Sequence, residues 1–339
     1  MGKKFTYDAP DHILEKIPQG FSGNVQNGVG EIAQRRPKPL IWHMPGITPV
    51  VDLREYVLEN FFSIPELVKA FWEPDGGRGP EPNEQAACRK EGTAEQWTRR
   101  VKDYALAHGA DDIGITTVIP NEVYEGFTTD HTNLIMFAVK HDYDLLAAAP
   151  STPQDVTHAA ELGTQYGRAA RVAAELANFI HDQGYACTQY LGPDAHALNF
   201  LPHAIEAGLG ELGKHGSLIH PRFGSGFRLS AITTDMPLDF DQPVVFGGDD
   251  FCKNCQVCFN ECPPDAISME KKMVRGVEKW SVDFDKCIPY FNETNGCGIC
   301  IAVCPWTRPG VAENLVIKMA RRRSRQLSQD DNSTDQDTR

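Results

Sequence analysis

Eight cysteines between positions 252 and 304 constrain this 339-residue chain more than any other feature. Cys252, Cys255, Cys258 and Cys262 follow the spacing C-x2-C-x2-C-x3-C, with Pro263 next. A short loop with thiolates two residues apart wraps three corners of an iron–sulfur cubane, while the fourth cysteine, opening the next element, points to a neighbouring cluster. Cys287, Cys297, Cys300 and Cys304 repeat the run and close it with Pro305, but nine residues fill the first interval. The pattern therefore assigns one [4Fe-4S] cluster to Cys252, Cys255, Cys258 and Cys304, and a second to Cys262, Cys287, Cys297 and Cys300. Paired zinc ribbons are the competing reading of C-x2-C pairs, although the repeated C-x3-C-P ending has no role in zinc binding. Cys88 and Cys187 stand apart, so thiolate ligation fits better than a disulfide framework.

Two clusters in one small fold form an electron wire, and a wire implies a terminus. The chain is far longer than the wire needs, so at least one further domain with its own core is expected to hold that terminus. With 33 Lys and Arg against 46 Asp and Glu, the net charge of −13 argues against nucleic-acid or anionic-membrane partners and leaves a neutral small molecule open. No run of eighteen apolar residues is present, so no membrane span is expected. The start, MGKKFTYDAPDHILEKIPQG, has neither an apolar h-region nor a twin arginine, which makes a cytoplasmic location the expectation unless a Tat signal preceded it.

Residues 1–95 read as an irregular, wrapping N-terminal region with Pro and Gly clusters around one helix near positions 53–71. Beyond them, AEQWTRRVKDYALAHG predicts a helix ending at Gly109, DDIGITTVI and NLIMFAV predict strands, and the alanine spacing over 153–183 predicts a long helix. An α/β sandwich is the natural class. The segment AGLGELGKHGSLIHPRFGSGFRLSAITTD is dense in glycine, which lets backbone approach something large and flat; ordinary turns are the competing reading. The tail over 313–339 is polar and mixed in charge, and is expected to be disordered.

The order of this glycine segment, TTDMPL, the first cysteine run, KWSVDFDKCIPYF and CGICIAVCPW resembles the corrinoid-dependent reductive dehalogenases over roughly residues 100 to 310. It is similar, more distantly, to epoxyqueuosine reductase, a tRNA-modifying enzyme. The resemblance implies a nitroreductase-like, cobalamin-binding α/β sandwich over 96–245, followed by a bacterial ferredoxin-like two-cluster module over 246–312. It implies an oxidoreductase that cleaves a carbon–halogen bond of an organohalide and releases halide. No D-x-H-x-x-G signature is present, so base-off cobalamin without a protein ligand is expected. Corrin contacts are expected at Gly208, Gly210, Gly213, His215, Gly216, Ser217, His220 and Pro221, with turn histidines as the alternative for His215 and His220.

Reductive dehalogenation takes two electrons and a proton, so a proton donor and a nearby cation are needed. By resemblance the donor is Tyr166 in ELGTQYGRAARV, and Arg228, shortly before TTDMPL, stabilises the phenolate. His196 and Asn199 are both candidates for a third polar catalytic residue, while Tyr190, Trp42, Phe71 and Trp72 could line an apolar pocket or serve as core. Two other functions compete: an epoxyqueuosine reductase-like enzyme, and a two-cluster electron-transfer subunit whose larger domain docks a partner. Glu211 and Tyr166 stand where the former carries tryptophan and an aspartate donor. No fused flavin reductase domain is present, so an external ferredoxin or flavodoxin is expected to supply electrons.

Overall fold

The centre of the fold is a strand buried on both faces, a consequence of the uninterrupted apolar run LIMFAV. The computed structural model describes residues 7–43, 46–73, 79–192 and 197–334. In it, β1 (Asp112–Thr117), β2 (Asn133–Lys140), β3 (Cys187–Tyr190), the hairpin β4 (Glu211–Leu212) and β5 (Leu218–Ile219), and β6 (Phe227–Thr234) belong to the α/β part. β1, β2, β6 and β3 form one antiparallel sheet in that order. Ile135, Phe137 and Val139 of β2 face one core, with Trp97, Val101 and the alanine-rich side of the helix Thr157–Asp182. Leu134, Met136 and Ala138 face the other, with Leu198, Ala204, Leu209 and Leu218. Side chains alternate across a strand, so each layer takes every second residue. Burying both faces of β2 supplies on the order of 10 kcal/mol of transfer free energy before chain entropy is charged against it. The α/β sandwich expectation holds.

Two local expectations are corrected, and two features are added. The helix expected near 53–71 is two, Val51–Ser63 and Pro65–Trp72, because Pro65 forces Ile64 into an extended conformation and then starts the second helix. The strand β3 has no alternating signature; it is pinned by pairing with β6. The tail expected to be disordered continues as a helix, Ala312–Thr334, because Ala312, Leu315, Val316 and Met319 form an apolar stripe against Phe246 and Trp306. Within the glycine segment, Gly210 is a packing position. A side chain at Gly210 would place its Cβ 2.2 Å from the Ile219 carbonyl oxygen, so this glycine lets β4 and β5 close.

The cysteine-rich part consists of the helices Gly248–Asn254 and Val257–Glu261, the hairpin β7 (Lys272–Val274) and β8 (Val277–Lys279), and the helices Phe284–Glu293 and Ile299–Ala302. Residues near the N-terminus bind it to the sandwich. Asn24 Nδ2 donates to Asp283 at 2.8 Å and Gly30 N to the Met273 carbonyl at 2.7 Å, while Arg36 Nε donates to the Val123 carbonyl at 2.7 Å.

Candidate functional site

The eight cysteines fall into two groups by proximity. Cys252 senses Cys255, and Cys258 senses Cys304, Cys252 and Cys255. Cys287 senses Cys297 and Cys262, and Cys300 senses Cys297, Cys287, Cys258 and Cys262. These proximities are compatible with the two sets expected from the spacing, with Cys300 lying near a residue of each. Burial pushes the Cys252 and Cys297 thiols up to about 11 and those of Cys258, Cys287 and Cys304 up to about 12. Thiols this hard to ionise become thiolates only when a cationic centre holds them, which suits iron ligation. Backbone N–H groups already point at them: Lys214 N lies 3.4 Å from Cys252 Sγ and Ala266 N 3.4 Å from Cys262 Sγ.

Three chambers run between the sandwich and the cysteine module. The inner one, about 290 Å³, is lined by Trp42, Phe61, Phe71, Trp72, Leu162, Tyr166, His215 and Arg228, and on its far side by Cys262, Cys287, Cys297 and Cys300. All four sulfur residues of the second set face it. A middle chamber of about 390 Å³ shares Trp42, Val282, Cys287 and Phe291 with it. An outer chamber of about 780 Å³ shares Asn27, Tyr124, Gly216, Val282 and Phe284 with the middle one, and is lined by Glu122, Asn199, Arg275 and Ser281. The three chambers thus adjoin through shared walls, and their lining, mostly apolar throughout, carries a larger polar share outward.

The helix Thr157–Asp182 sends His158, Leu162 and Tyr166 to the inner chamber from successive turns. Arg228, from β6, puts its guanidinium carbon 4.6 Å from the centroid of the Tyr166 ring. Gly192 makes room for that ring, since a Cβ there would lie 2.7 Å from Tyr166 Cε1. His141 also lines the chamber. Its Nδ1 donates to Glu161 Oε1 at 3.0 Å, and both side chains are buried. Burial pushes the His141 imidazole down to about 4, with the Arg228 charge acting in the same direction, so this histidine is neutral near pH 7.

Of the other residues singled out in the sequence, His215 and Gly216 reach the chambers. His215 Nδ1 accepts from Ser217 N at 3.2 Å and its Nε2 donates to Ser225 Oγ at 3.1 Å, so both ring nitrogens are occupied. His220 is equally engaged, with Nε2 on Asp112 at 2.7 Å and Nδ1 accepting from Arg222 N at 3.1 Å, away from the chambers. Gly208, Gly210, Gly213, Ser217 and Pro221 do not line them; the first three are packing positions, with Cβ approaches of 2.7, 2.2 and 2.7 Å to neighbouring atoms. Asn199 lines the outer chamber and donates to Glu122 at 2.8 Å, so it does not join Tyr166. His196 lies outside the described residues. Tyr190 packs in the core behind the sheet.

Sequence reasoning missed the outer wall, which comes from Asn27, Glu122, Arg275 and Ser281, segments far apart in the chain with no shared pattern. The repeat of His158, Leu162 and Tyr166 at intervals of four was available as a signal for the inner wall. The walls are compatible with a corrin on one count. Buried polar atoms on the chamber walls, Arg228 Nε, Asn295 Oδ1, Arg275 Nε, Ser281 Oγ and Asn27 Nδ2, have no hydrogen-bond partner, as expected of a wall meant for a ligand rich in amides. Gly216 is a packing position, where an added Cβ would lie 2.9 Å from Val282.

Residues 251–307 match the 4Fe-4S dicluster domain family. The chain is 34% identical over 213 residues to a tetrachloroethene reductive dehalogenase of Desulfitobacterium hafniense, covering 59% of this chain and 37% of that protein. It is 31% identical over 220 residues to the enzyme of the same name from Sulfurospirillum multivorans, covering 62% of this chain and 40% of that one. An epoxyqueuosine reductase from Cellulophaga algicola is 34% identical over 122 residues, 31% of this chain and 36% of its own. Among solved structures, a catabolic reductive dehalogenase variant aligns with a TM-score of 0.64 at 25% identity, covering 84% of this chain and 41% of its own. The chain thus spans about two fifths of the length of the curated dehalogenases it matches. It is a homologue of the reductive dehalogenases over about three fifths of its own length and a more distant relative of epoxyqueuosine reductase.

Proposed function

We propose that this homologue of the reductive dehalogenases reductively cleaves a carbon–halogen bond of an organohalide in the inner chamber, with cobalamin in the middle and outer chambers and two [4Fe-4S] clusters as the electron path. The observation that carries the reading is one chamber bounded on one side by Tyr166 and Arg228 and on the other by all four second-set cysteines. The same geometry supports one direction of electron flow. The second cluster is the chamber-facing one and the first cluster receives electrons from outside, from a low-potential ferredoxin or flavodoxin. Bound cobalamin supplies a strongly reducing cobalt centre, chemistry that amino-acid side chains lack.

The residues have the following work. The aromatic wall of Trp42, Phe61, Phe71 and Trp72 takes up an apolar substrate and keeps water from the reacting bond. Two electrons and one proton replace halide by hydrogen, and Tyr166 gives that proton from its phenol oxygen. The Arg228 guanidinium, held over the ring, stabilises the phenolate left behind. His215 and His220 have both ring nitrogens committed to neighbours, so neither is poised to ligate cobalt. Asn27, Arg275 and Ser281 are the residues that would meet the amide groups at the corrin rim.

The test is anaerobic reconstitution of the chain with iron, sulfide and cobalamin, followed by a halide-release screen over aliphatic and aromatic organohalides. Tyr166→Phe is expected to keep both cofactors and lose on the order of 10²–10⁴ in turnover, the usual worth of a positioned general acid. Turnover equal to that of the unaltered protein would remove Tyr166 from the reaction.

A further inference from the structure

Lys214 sits in the turn between β4 and β5 and is 1% exposed, among the most completely buried large side chains of the molecule. Its ammonium donates to the Cys255 carbonyl at 2.7 Å, lies 3.2 Å from Met269 Sδ, and stands 5.1 Å from the centroid of the Trp280 ring. Its backbone N–H points at Cys252 Sγ at 3.4 Å. No carboxylate pairs with it among the described residues. The nearby Asp249, which Cys252 senses, is already held by Lys271 Nζ at 2.8 Å and by Trp280 Nε1 at 2.6 Å. A buried cation without an anionic partner is costly, so a native site that keeps one is built around an anion that is yet to arrive.

That anion is the first cluster. Cys252 and Cys258 both feel the Lys214 charge. In the second set, the charged groups that act on Cys287, Cys297 and Cys300 are other cysteines, joined at Cys287 by Asp283. With four thiolates, a [4Fe-4S] centre carries a net charge of about −2 when oxidised and about −3 when reduced. A fixed cation beside it favours the reduced form, whereas a carboxylate disfavours it; the carboxylate near the first set, Asp249, is offset by Lys271, and Asp283 acts on the second.

We propose that Lys214 sets the reduction potential of the first cluster, holding it above that of the second, so that the first cluster stores the electron and passes it inward only when the chamber-facing cluster is drawn on. The step is a one-electron reduction of the cubane, with the electron from a low-potential donor protein or from dithionite in the assay. Lys214 moves neither electron nor proton. The inference rests on the two-cluster reading and not on the dehalogenase activity.

The experiment is a mediated redox titration of the iron-loaded protein followed by electron paramagnetic resonance, on the unaltered chain, Lys214→Gln and Lys214→Arg. In the unaltered chain the higher of two midpoint potentials is expected to belong to the first cluster, identified because Cys255→Ser perturbs that signal and leaves the other. Lys214→Gln keeps an N–H donor and removes the charge; it is expected to lower the first potential and leave the second where it was, and Lys214→Arg to restore the order. The proposal is overturned if the higher potential belongs to the second cluster, if Lys214→Gln with full iron moves neither or both potentials equally, or if Lys214→Arg behaves as Lys214→Gln does. If Lys214→Gln cannot be loaded with iron, the order of potentials in the unaltered chain decides. An iron content well below about eight atoms per unaltered chain would strike instead at the two-cluster reading, which separates the two failures.

Discussion

Glu211 ties the sandwich to the cluster module through one carboxylate oxygen. Its Oε2 accepts from the backbone N–H groups of Phe246, Gly247 and Gly248 at 3.1, 2.8 and 2.7 Å. The last of these opens the short helix that carries Cys252. Glu211→Ala would strand three donors at a half-buried junction. A hydrogen bond to a charged group is worth about 1.5–3 kcal/mol, but three that share one oxygen are not additive, so the loss should be on the order of 3–5 kcal/mol. Glu211→Gln keeps an acceptor and gives up the charge. Neutral bonds have roughly half the strength of charge-assisted ones, so about 1–2 kcal/mol should be lost. The assay is urea-induced bleaching of the cluster absorbance under anaerobic conditions, with iron counted before each run. Bleaching should move to lower urea in the order unaltered, Gln, Ala, and the Ala variant should lose iron first from the cluster that includes Cys252. A Glu211→Ala protein with full iron and an unmoved midpoint would refute the junction role. Equal loss in Gln and Ala would place the whole effect in the charge.

Two further outcomes are expected. Gly192→Ala would press on the Tyr166 ring, where the added Cβ lies 2.7 Å from Cε1; turnover should fall at least tenfold with both clusters and the fold intact, checked by halide release beside iron content and circular dichroism. Burial holds His141 and His215 at about 4, below the ordinary value near 6.5, so the unfolded chain binds more protons between those limits and stability must fall as pH drops from about 6.5 toward 4. Each contributes on the order of 3 kcal/mol over the full range. Urea midpoints at pH 7.5, 6.5 and 5.5 should therefore decline on acidification, less steeply in His215→Asn, and an identical slope in that variant would contradict the assignment.

The elements most legible in the chain were those whose pattern repeats. The run Leu134 to Val139 announces a strand covered on both faces, and the alanines at 169, 170, 173, 174 and 177 announce the close-packed side of a long helix. Elements held by partners left no such trace. β3, with the sequence CTQY, is a strand because β6 lies beside it, and the tail helix is anchored by four residues whose apolar stripe matters only once Phe246 and Trp306 are in place. Local periodicity encodes what a segment buries, and says little about which surface receives it.

The expectation of two interleaved cysteine sets came from linear spacing alone, because a short loop limits which sulfurs can reach one cube. The pairing of Tyr166 with Arg228 was carried by motif order. Tertiary structure alone decided which set faces the chamber, that Asn27, Glu122, Arg275 and Ser281 converge on one outer wall, and that Lys214 is shut in beside the first set with no carboxylate partner among the described residues. These are matters of distance between segments remote in sequence. A chain's order of residues places no limit on such distances until the packing of the whole has closed the loops between them.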